Sequence, residues 1–86
     1  MITIDGTSVA YTGTVGLSDA EAILFKALFD NRGKNVAVAD LITAANIASD
    51  GTLYVLISRL RFKCRRLPLH IYNFHKCYRM MVEDDA

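Results

Sequence analysis

Apolar and polar residues alternate along the first part of the chain, from Ile2 to Thr12. An alternation of this kind has the period of a β-strand with one buried face. The dipeptide Asp5-Gly6 interrupts it, and such a dipeptide accepts the positive φ angles of a tight hairpin turn. The pattern therefore predicts a β-hairpin within residues 1–16.

A helix start signal follows at Ser18, with Glu21 three residues further on. In this capping box the serine hydroxyl accepts a hydrogen bond from a free amide of the first turn, and the glutamate reaches back to the serine amide. Apolar residues then recur at helical spacing as far as Leu28, and Gly33 can adopt the left-handed conformation that ends a helix. We predict the first helix between these two signals.

Two more helices are predicted in the middle of the chain. A short extended piece, Val36 to Val38, precedes a second helix around Asp40 to Ala45. Ser49-Asp50 offers an N-cap for a third helix over residues 51–66. Pro68 ends that helix, because proline lacks the amide N–H that a helix requires.

The last part of the chain predicts a second hairpin. Residues 69–73 and 77–82 have the composition of strands, and Asn73-Phe-His-Lys76 joins them. The predicted architecture is α+β, in one domain of 86 residues. Its parts are an N-terminal hairpin in 1–16, three helices in 17–66, a C-terminal hairpin in 67–82 and an acidic tail in 83–86.

The third predicted helix has two contrasting faces when its residues are placed at steps of about 100°. The expected core stripe consists of Leu53, Ile57, Leu60 and Cys64. The opposite side combines cations, hydroxyls and apolar groups: Val55, Arg59, Phe62 and Arg66, with Ser58 and Arg65 on one shoulder and Thr52 and Lys63 on the other. Such a helix fits the major groove of DNA, where arginine bonds guanine and small apolar groups meet thymine methyls. An ordinary solvated helix face has the same pattern.

The net charge of +1 conceals a segregation of charge along the chain. Residues 1–50 contain three basic and six acidic side chains. From Arg59 to Arg79 there are seven basic residues and no acid, and Glu83, Asp84 and Asp85 then follow. A basic block suits a polyanionic partner, although a solvated basic surface has the same composition.

Composition argues against several other classes of protein. With 52% hydrophobic and 22% charged residues, the chain holds enough apolar material for a core, and disorder of the whole chain is not expected. No apolar run approaches the roughly 18 residues of a membrane span. The first residues lack the basic and apolar regions of a signal peptide. The two cysteines are too few for a disulfide scaffold. We therefore expect a cytoplasmic protein without a membrane segment.

Four short motifs occur in order along nearly the whole chain: Leu17-Ser-Asp-Ala-Glu21, Gly33-Lys-Asn-Val36, Thr52-Leu-Tyr-Val-Leu-Ile-Ser-Arg-Leu-Arg61 and Tyr78-Arg79-Met80. They resemble, respectively, the Leu-Thr-x-x-Glu start, the Gly-Arg-Val-Val stretch, the recognition helix and the Gly-Tyr-Arg-Leu close of the OmpR/PhoB-type winged-helix DNA-binding domain. The Ile57-Ser-Arg-Leu-Arg61 run is the most specific of these similarities.

The resemblance implies a winged helix-turn-helix fold that binds double-stranded DNA and regulates transcription, without a cofactor or enzymatic chemistry. It implies a recognition helix over residues 51–66 in the major groove and a hairpin, the wing, over 69–82 toward the minor groove. Homodimers on repeated half-sites are common among such domains. Carried over by position, base edges are expected at Val55, Ser58 and Arg59, and phosphates at Thr52, Arg61 and Lys63.

Further DNA contacts are expected from cations outside those matched positions. Arg66 shares the outward side of the third helix. In the wing, His75 and Lys76 are predicted at the minor groove, because a cationic hairpin tip suits the narrow and more negative A·T tracts. Arg79 is predicted on phosphate. The alternative is a wing that only closes the core, with its tip in solvent.

The chain departs from the family pattern at several places. His75-Lys-Cys77 stands where the wing usually has Gly-x-Gly, so a different turn is expected there. Ile47 to Gly51 is several residues shorter than is typical, and Ala37 replaces a serine that would cap the second helix. No receiver domain precedes the fold within these 86 residues, so the ordinary control by phosphorylation is not expected.

Two other kinds of function have candidate residues. Cys64, His70, His75 and Cys77 would be the set for zinc, but their spacing matches no recognised pattern. No nucleophile–base pairing is indicated either, so neither a metal site nor an enzyme is expected. The stronger rival is a protein-interaction module that binds another regulator or RNA polymerase, with Tyr54, Leu56 and Phe62 as its contact residues.

Overall fold

Three helices and two antiparallel sheets make up the computed structural model, which describes residues 1–83. Asp84 to Ala86, the end of the predicted acidic tail, lie outside the described residues. The architecture is α+β, as predicted. In chain order the elements are β1 (Thr3–Asp5), β2 (Ser8–Ala10), β3 (Thr14–Gly16), α1 (Asp19–Asp30), β4 (Val36–Ala37), α2 (Val38–Ala45), α3 (Asp50–Lys63), β5 (Leu69–Phe74) and β6 (Cys77–Val82).

The N-terminal segment forms a three-stranded sheet in the order β1-β2-β3. The predicted hairpin is its first half: Asp5 pairs with Ser8 across a turn in which Gly6 has a φ of +60°. The third strand was not predicted, so the description of residues 1–16 as a hairpin is incomplete. It pairs Val15 with the fully buried Val9, and it has only three residues, too few to give a periodic signal.

The first helix begins at the predicted signal and ends three residues before the predicted glycine stop. The Ser18 amide donates to Glu21 Oε1 at 2.8 Å, and the Glu21 amide donates to Ser18 Oγ at 3.2 Å, which is the capping box. Helix α1 ends at Asp30, and Gly33 has a φ of +82°. The Gly33 amide donates to the Met80 carbonyl at 2.8 Å, so this turn joins α1 to β6.

The second helix lacks the side-chain cap that its neighbours have. It begins at Val38, two residues before the predicted start, and Ala37 at its N-cap makes no side-chain hydrogen bond. The Val38 amide instead donates to the Lys76 carbonyl at 2.9 Å. A carbonyl of the C-terminal hairpin therefore satisfies the first free amide of α2, and Asn46, with a φ of 52°, ends the helix.

The third helix ends earlier than predicted. Ser49 Oγ accepts from the Thr52 amide at 3.2 Å and caps its start, as expected. Its last residue is Lys63 rather than residue 66, so Arg66 lies beyond the helix. The chain must turn back toward β5 after this point, and a residue before proline disfavours helical dihedrals. Turns through residues 64–68 accordingly replace the last predicted helical turn.

The C-terminal sheet has the strand order β4-β6-β5. Phe74 pairs with Cys77, which leaves a two-residue turn of His75 and Lys76. Strand β5 is one residue longer than predicted, and β4 adds an edge by pairing Val36 with Tyr78.

The core lies between the helices and the two sheets. It contains the stripe predicted on the third helix, since Leu53, Ile57, Leu60 and Cys64 are all buried. The other buried hydrophobic residues are Ile2, Val9, Leu17, Ala22, Leu24, Phe25, Leu28, Leu41, Leu69, Ile71, Tyr78 and Met80. Within residues 1–83, no single helix is long and apolar enough to cross a membrane. Helices α2 and α3 meet that criterion only when combined, and they are bent by 85°.

One charged side chain, Glu21, lies in the core with 1% of its surface exposed. Its Oε1 atom accepts a hydrogen bond from Lys63 Nζ at 2.6 Å, which links the start of α1 to the end of α3. Burial alone would raise the pKa of Glu21, but the bonds from Lys63 and Ser18 outweigh it, so the pKa is lowered. The carboxylate is therefore ionised and paired in the folded chain.

We expect Glu21→Gln to lower the free energy of unfolding at pH 7 by about 1–3 kcal/mol, because Lys63 and the Ser18 amide lose a charged acceptor. The folded-state pKa of Glu21 is lowered. Its carboxylate therefore contributes stability that is present above the unfolded-state pKa and is lost as pH falls through the folded-state value. Urea denaturation from pH 7 to about pH 3 spans that window.

The matched control is Asp30→Asn, which removes the exposed carboxylate bonded to Lys26 at 3.2 Å. We expect it to change stability by less than about 0.5 kcal/mol, since exposed helix ion pairs contribute little. The stability difference between wild type and Glu21→Gln should shrink on acidification. A difference that is the same at every pH would contradict the role given to the carboxylate.

Candidate nucleic-acid interface

The outward face of α3 presents four residues at successive helical turns: Val55, Ser58, Arg59 and Phe62. All four are exposed, with 47% of Val55 and 65% of Phe62 accessible to solvent. The buried stripe on the other side fixes the rotation of the helix, so this face is directed away from the core. The structure thus brings together the three residues expected at base edges.

The arginines near this face differ in how they are held. Arg59 is exposed and has no hydrogen-bond or ion-pair partner within residues 1–83. Arg61 donates through Nε to the Ile71 carbonyl at 3.0 Å, which fixes it against β5. Arg65 lies over the Phe62 ring, 4.2 Å from its centroid, and donates to the Phe62 carbonyl. Because a guanidinium has five N–H donors, Arg61 and Arg65 retain further donors for a ligand.

Three other residues expected near DNA, on or just after this helix, differ in their contacts with the rest of the protein. Lys63 Nζ is bonded to the buried Glu21, so its charge is already paired. Thr52 lies in the first turn, where its hydroxyl is 3.2 Å from Ser49 Oγ. Arg66 is exposed after the end of α3.

The turn of the C-terminal hairpin carries His75 and Lys76, both exposed at its tip. Lys76 has a φ of 62°, in the left-handed region that favours glycine. This is the position where the family pattern has a glycine-containing turn. Arg79 lies further down β6, where its Nε donates to Asn35 Oδ1 at 2.9 Å and its guanidinium lies 5.1 Å from the Phe74 ring centroid.

An aromatic row, defined as His70, Tyr72 and Phe74, occupies the solvent face of β5. Its ring centroids are separated by 6.1 Å and 6.0 Å, with interplanar angles of 40° and 41°. His70 Nε2 also lies 2.7 Å from Glu83 Oε1. Sequence reasoning did not assign the row a role, although the alternation of its members with buried Leu69 and Ile71 is a signal for one exposed face.

A groove of about 320 Å³ runs between the end of α3 and β5, beside the aromatic row. Arg61 and Arg65 line its helix side, and His70 and Tyr72 line its strand side. Cys64, Leu69 and Ile71 complete the lining. The groove therefore combines guanidinium groups with aromatic rings.

The residues named for a protein partner are only partly accessible. Tyr54 is 59% exposed and Phe62 is 65% exposed. Leu56 is half-buried and packs against the core, so it offers little surface to a partner.

The thiols and imidazoles considered for zinc do not form a cluster in the described part of the chain, where no three His, Cys, Asp or Glu side chains are placed to hold a metal ion. Cys64 is buried between α3 and the core. Burial and the nearby Glu21 charge raise the pKa of its thiol to about 11, although Lys63 partly opposes them. A thiol protonated at neutral pH and removed from solvent is a poor nucleophile.

The chain matches no protein-family model, and no curated protein matches it. The similarity to OmpR/PhoB-type domains therefore stays an expectation drawn from the motifs.

We expect Lys76→Gly to be more stable than Lys76→Ala by about 1 kcal/mol, because glycine adopts the left-handed conformation without the steric cost that a Cβ atom brings. Both variants remove the same charge, so thermal or urea unfolding of the pair isolates the backbone effect. The corresponding substitutions of His75, which lacks a positive φ, form the control, and there glycine should not be the more stable. Equal stability of the two Lys76 variants would show that the turn is not strained.

Proposed function

We propose that this chain is a winged-helix domain of the OmpR/PhoB type that binds double-stranded DNA and regulates transcription, without enzymatic activity. In this proposal α3 is the recognition helix and the β5–β6 hairpin is the wing. The order of elements supports it, since three helices are followed by a hairpin whose sheet is completed by a strand lying between the first two helices.

The observation that carries the proposal is the outward face of α3. Arg59 is exposed there without a partner among the described residues, and Val55 and Ser58 lie beside it. No acidic residue occurs from Gly51 to Val82, and the two flanking acids are Asp50 at the start of α3 and Glu83, which is bonded to His70. The helix face and the hairpin are therefore predominantly cationic, which suits phosphate. An unpaired arginine beside a small hydroxyl and a small apolar group suits the edges of guanine and thymine in a major groove.

The remaining cations are proposed to contact the phosphates or the minor groove. We assign Arg61 and Arg66 to phosphates, with Thr52 at the start of the helix. Lys63 stays at its predicted place near phosphate, because the ammonium group has three N–H donors, bonds Glu21 with one of them and belongs to a side chain that is 37% exposed. At the wing, His75 and Lys76 are proposed at the minor groove and Arg79, held by Asn35, at phosphate. Homodimers on repeated half-sites and a cytoplasmic location belong to the same proposal.

A second candidate is a protein-interaction module. The observation that favours it is the exposure of Tyr54 and Phe62, which gives α3 more apolar surface than base readout requires. Arg65 covers one side of the Phe62 ring, which reduces the apolar area available to a partner.

We expect affinity for duplex DNA to depend strongly on salt. If each protomer neutralises about four to six phosphates, the logarithm of the association constant should fall against the logarithm of salt concentration with a slope of about −4 to −5. An electrophoretic or anisotropy titration of random duplex at several salt concentrations measures the slope. A slope near zero, or no binding at low salt, would reject the DNA function and favour the protein-interaction module.

We expect Arg59→Ala to weaken binding to a duplex selected from a random pool by about 1–3 kcal/mol, and to weaken binding to random duplex less, because it removes a base contact. The matched control is Lys26→Ala, which removes one positive charge from the exposed side of α1, where Lys26 is bonded to Asp30. The control should leave both affinities unchanged. Equal weakening of selected and random duplex by Arg59→Ala would assign this side chain to phosphate.

A further inference from the structure

We infer that the solvent face of the C-terminal sheet is a second nucleic-acid site, which binds single-stranded DNA or RNA by stacking bases on the aromatic row. Its aromatic residues lie on β5, away from the outward face of α3, and it shares Arg61 and Arg79 with the proposed duplex contacts. It does not require that the duplex function be correct. Tyr72 and Phe74 would stack on the bases. The arginines of the groove between α3 and β5 would attract the phosphates.

The geometry of the aromatic row suits successive unpaired bases. Three rings follow one another along a single strand at spacings of 6.1 Å and 6.0 Å. Tyr72 and Phe74 are each 44% exposed, so both rings are partly accessible to solvent. Every base has a π face, and stacking on exposed aromatic side chains is the usual way in which single strands are held without a sequence preference.

The charges around the row complement a phosphate backbone. Arg61 and Arg65 line the groove that shares His70 and Tyr72 with the row. On the other side, Arg79 stands over Phe74 and extends the stacking surface with a planar cation. The acidic side chain that the described residues place at the row is Glu83, bonded to His70 at one end. A strand bound here would have its bases on the rings and its phosphates near the arginines.

The same surface is less suited to a peptide. Strand β5 is at the edge of its sheet, where a peptide would add as a further strand by bonding to free backbone groups. The Ile71 carbonyl on this strand already accepts a hydrogen bond from Arg61 Nε at 3.0 Å. A peptide strand would have to displace this arginine, whereas stacked bases need no backbone group of β5.

The test compares two labelled probes by fluorescence anisotropy at low salt: an oligothymidylate of about 12 nucleotides and an abasic oligomer of the same length. The probes carry equal charge and differ in the bases. Wild-type protein should bind oligothymidylate about 10-fold or more tightly than the abasic oligomer, because each stacked base adds affinity. Tyr72→Leu and Phe74→Leu should each lose about 10-fold of the oligothymidylate affinity and leave the abasic affinity unchanged.

Two control variants separate stacking from general effects. Tyr72→Phe keeps the flat ring and should retain the affinity, which shows that the ring and not the hydroxyl is needed. The unchanged abasic affinity of Tyr72→Leu shows that the leucine effect is not a loss of folding. Tyr54→Leu removes an exposed tyrosine from α3, outside the row, and should have no effect. Duplex binding measured on the same proteins should respond to Arg59→Ala and not to Tyr72→Leu, so that failure of this site and failure of the duplex function are distinguished.

Three results would overturn the inference. Equal affinity for oligothymidylate and the abasic oligomer would show that binding comes from charge and not from base stacking. Loss of affinity in Tyr54→Leu as great as that in Tyr72→Leu would move the contact to α3. Binding of a labelled oligoglutamate peptide, with no binding of oligothymidylate, would assign this face to an acidic protein partner.

Discussion

The buried carboxylate of Glu21 is the constraint on which the helical part of this protein depends. Within residues 1–83 it is the one charged side chain in the core, and an unpaired charge there would be strongly destabilising. Its Oε1 atom accepts bonds from the Ser18 amide and from Lys63 Nζ. The first turn of α1 and the last turn of α3 must therefore meet at this atom. This meeting, together with the buried stripe of α3, fixes which side of α3 is directed to solvent.

The basic block of the sequence divides, in three dimensions, into cations that hold the protein together and cations that do not. Those bonded to protein groups are Lys63, Arg61, Arg65 and Arg79. Those without a partner among the described residues are Arg59, Arg66 and Lys76. In the first set, Lys63 joins α3 to α1, Arg61 joins α3 to β5 and Arg79 joins β6 to Asn35. Arg65 bonds within the end of α3, and the second set extends into solvent. The distribution of charge along the sequence does not distinguish bonded from unpaired cations, because it does not show which acceptors lie close in the folded chain.

Features with local signals could be predicted from the sequence. The capping box at Ser18, the serine cap of α3 and the core stripe from Leu53 to Cys64 depend on residues within a few positions of one another. The outward position of Val55, Ser58 and Arg59 followed from the same helical period. For the candidate site, the sequence therefore predicted which side of α3 is exposed, but not which of the cations are bonded to other protein groups.

The remainder depended on contacts between distant parts of the chain. Lys63 and Glu21 are 42 residues apart in sequence, so the residues near Lys63 do not indicate that it forms an ion pair. Leu56 lies about 60–70° from the buried stripe on the helical wheel, so its packing against the core had a local signal. The turn after Lys63 shortened α3 and moved Arg66 off the helix. The exposed aromatic row was visible as an alternation, but its neighbouring groove is formed by α3 and could not be inferred from β5 alone.

The bond from the Val38 amide to the Lys76 carbonyl has a consequence for the order of folding. Helices α1 and α3 each have a serine cap within their own sequence, so their first turns can form early. The start of α2 has no such cap and is satisfied only after a long loop has closed and the C-terminal hairpin has docked. Contacts that need distant segments form slowly. The first turn of α2 should therefore become fixed in the last stage of folding, together with the turn of the hairpin, and should be among the first parts of the helical layer to open.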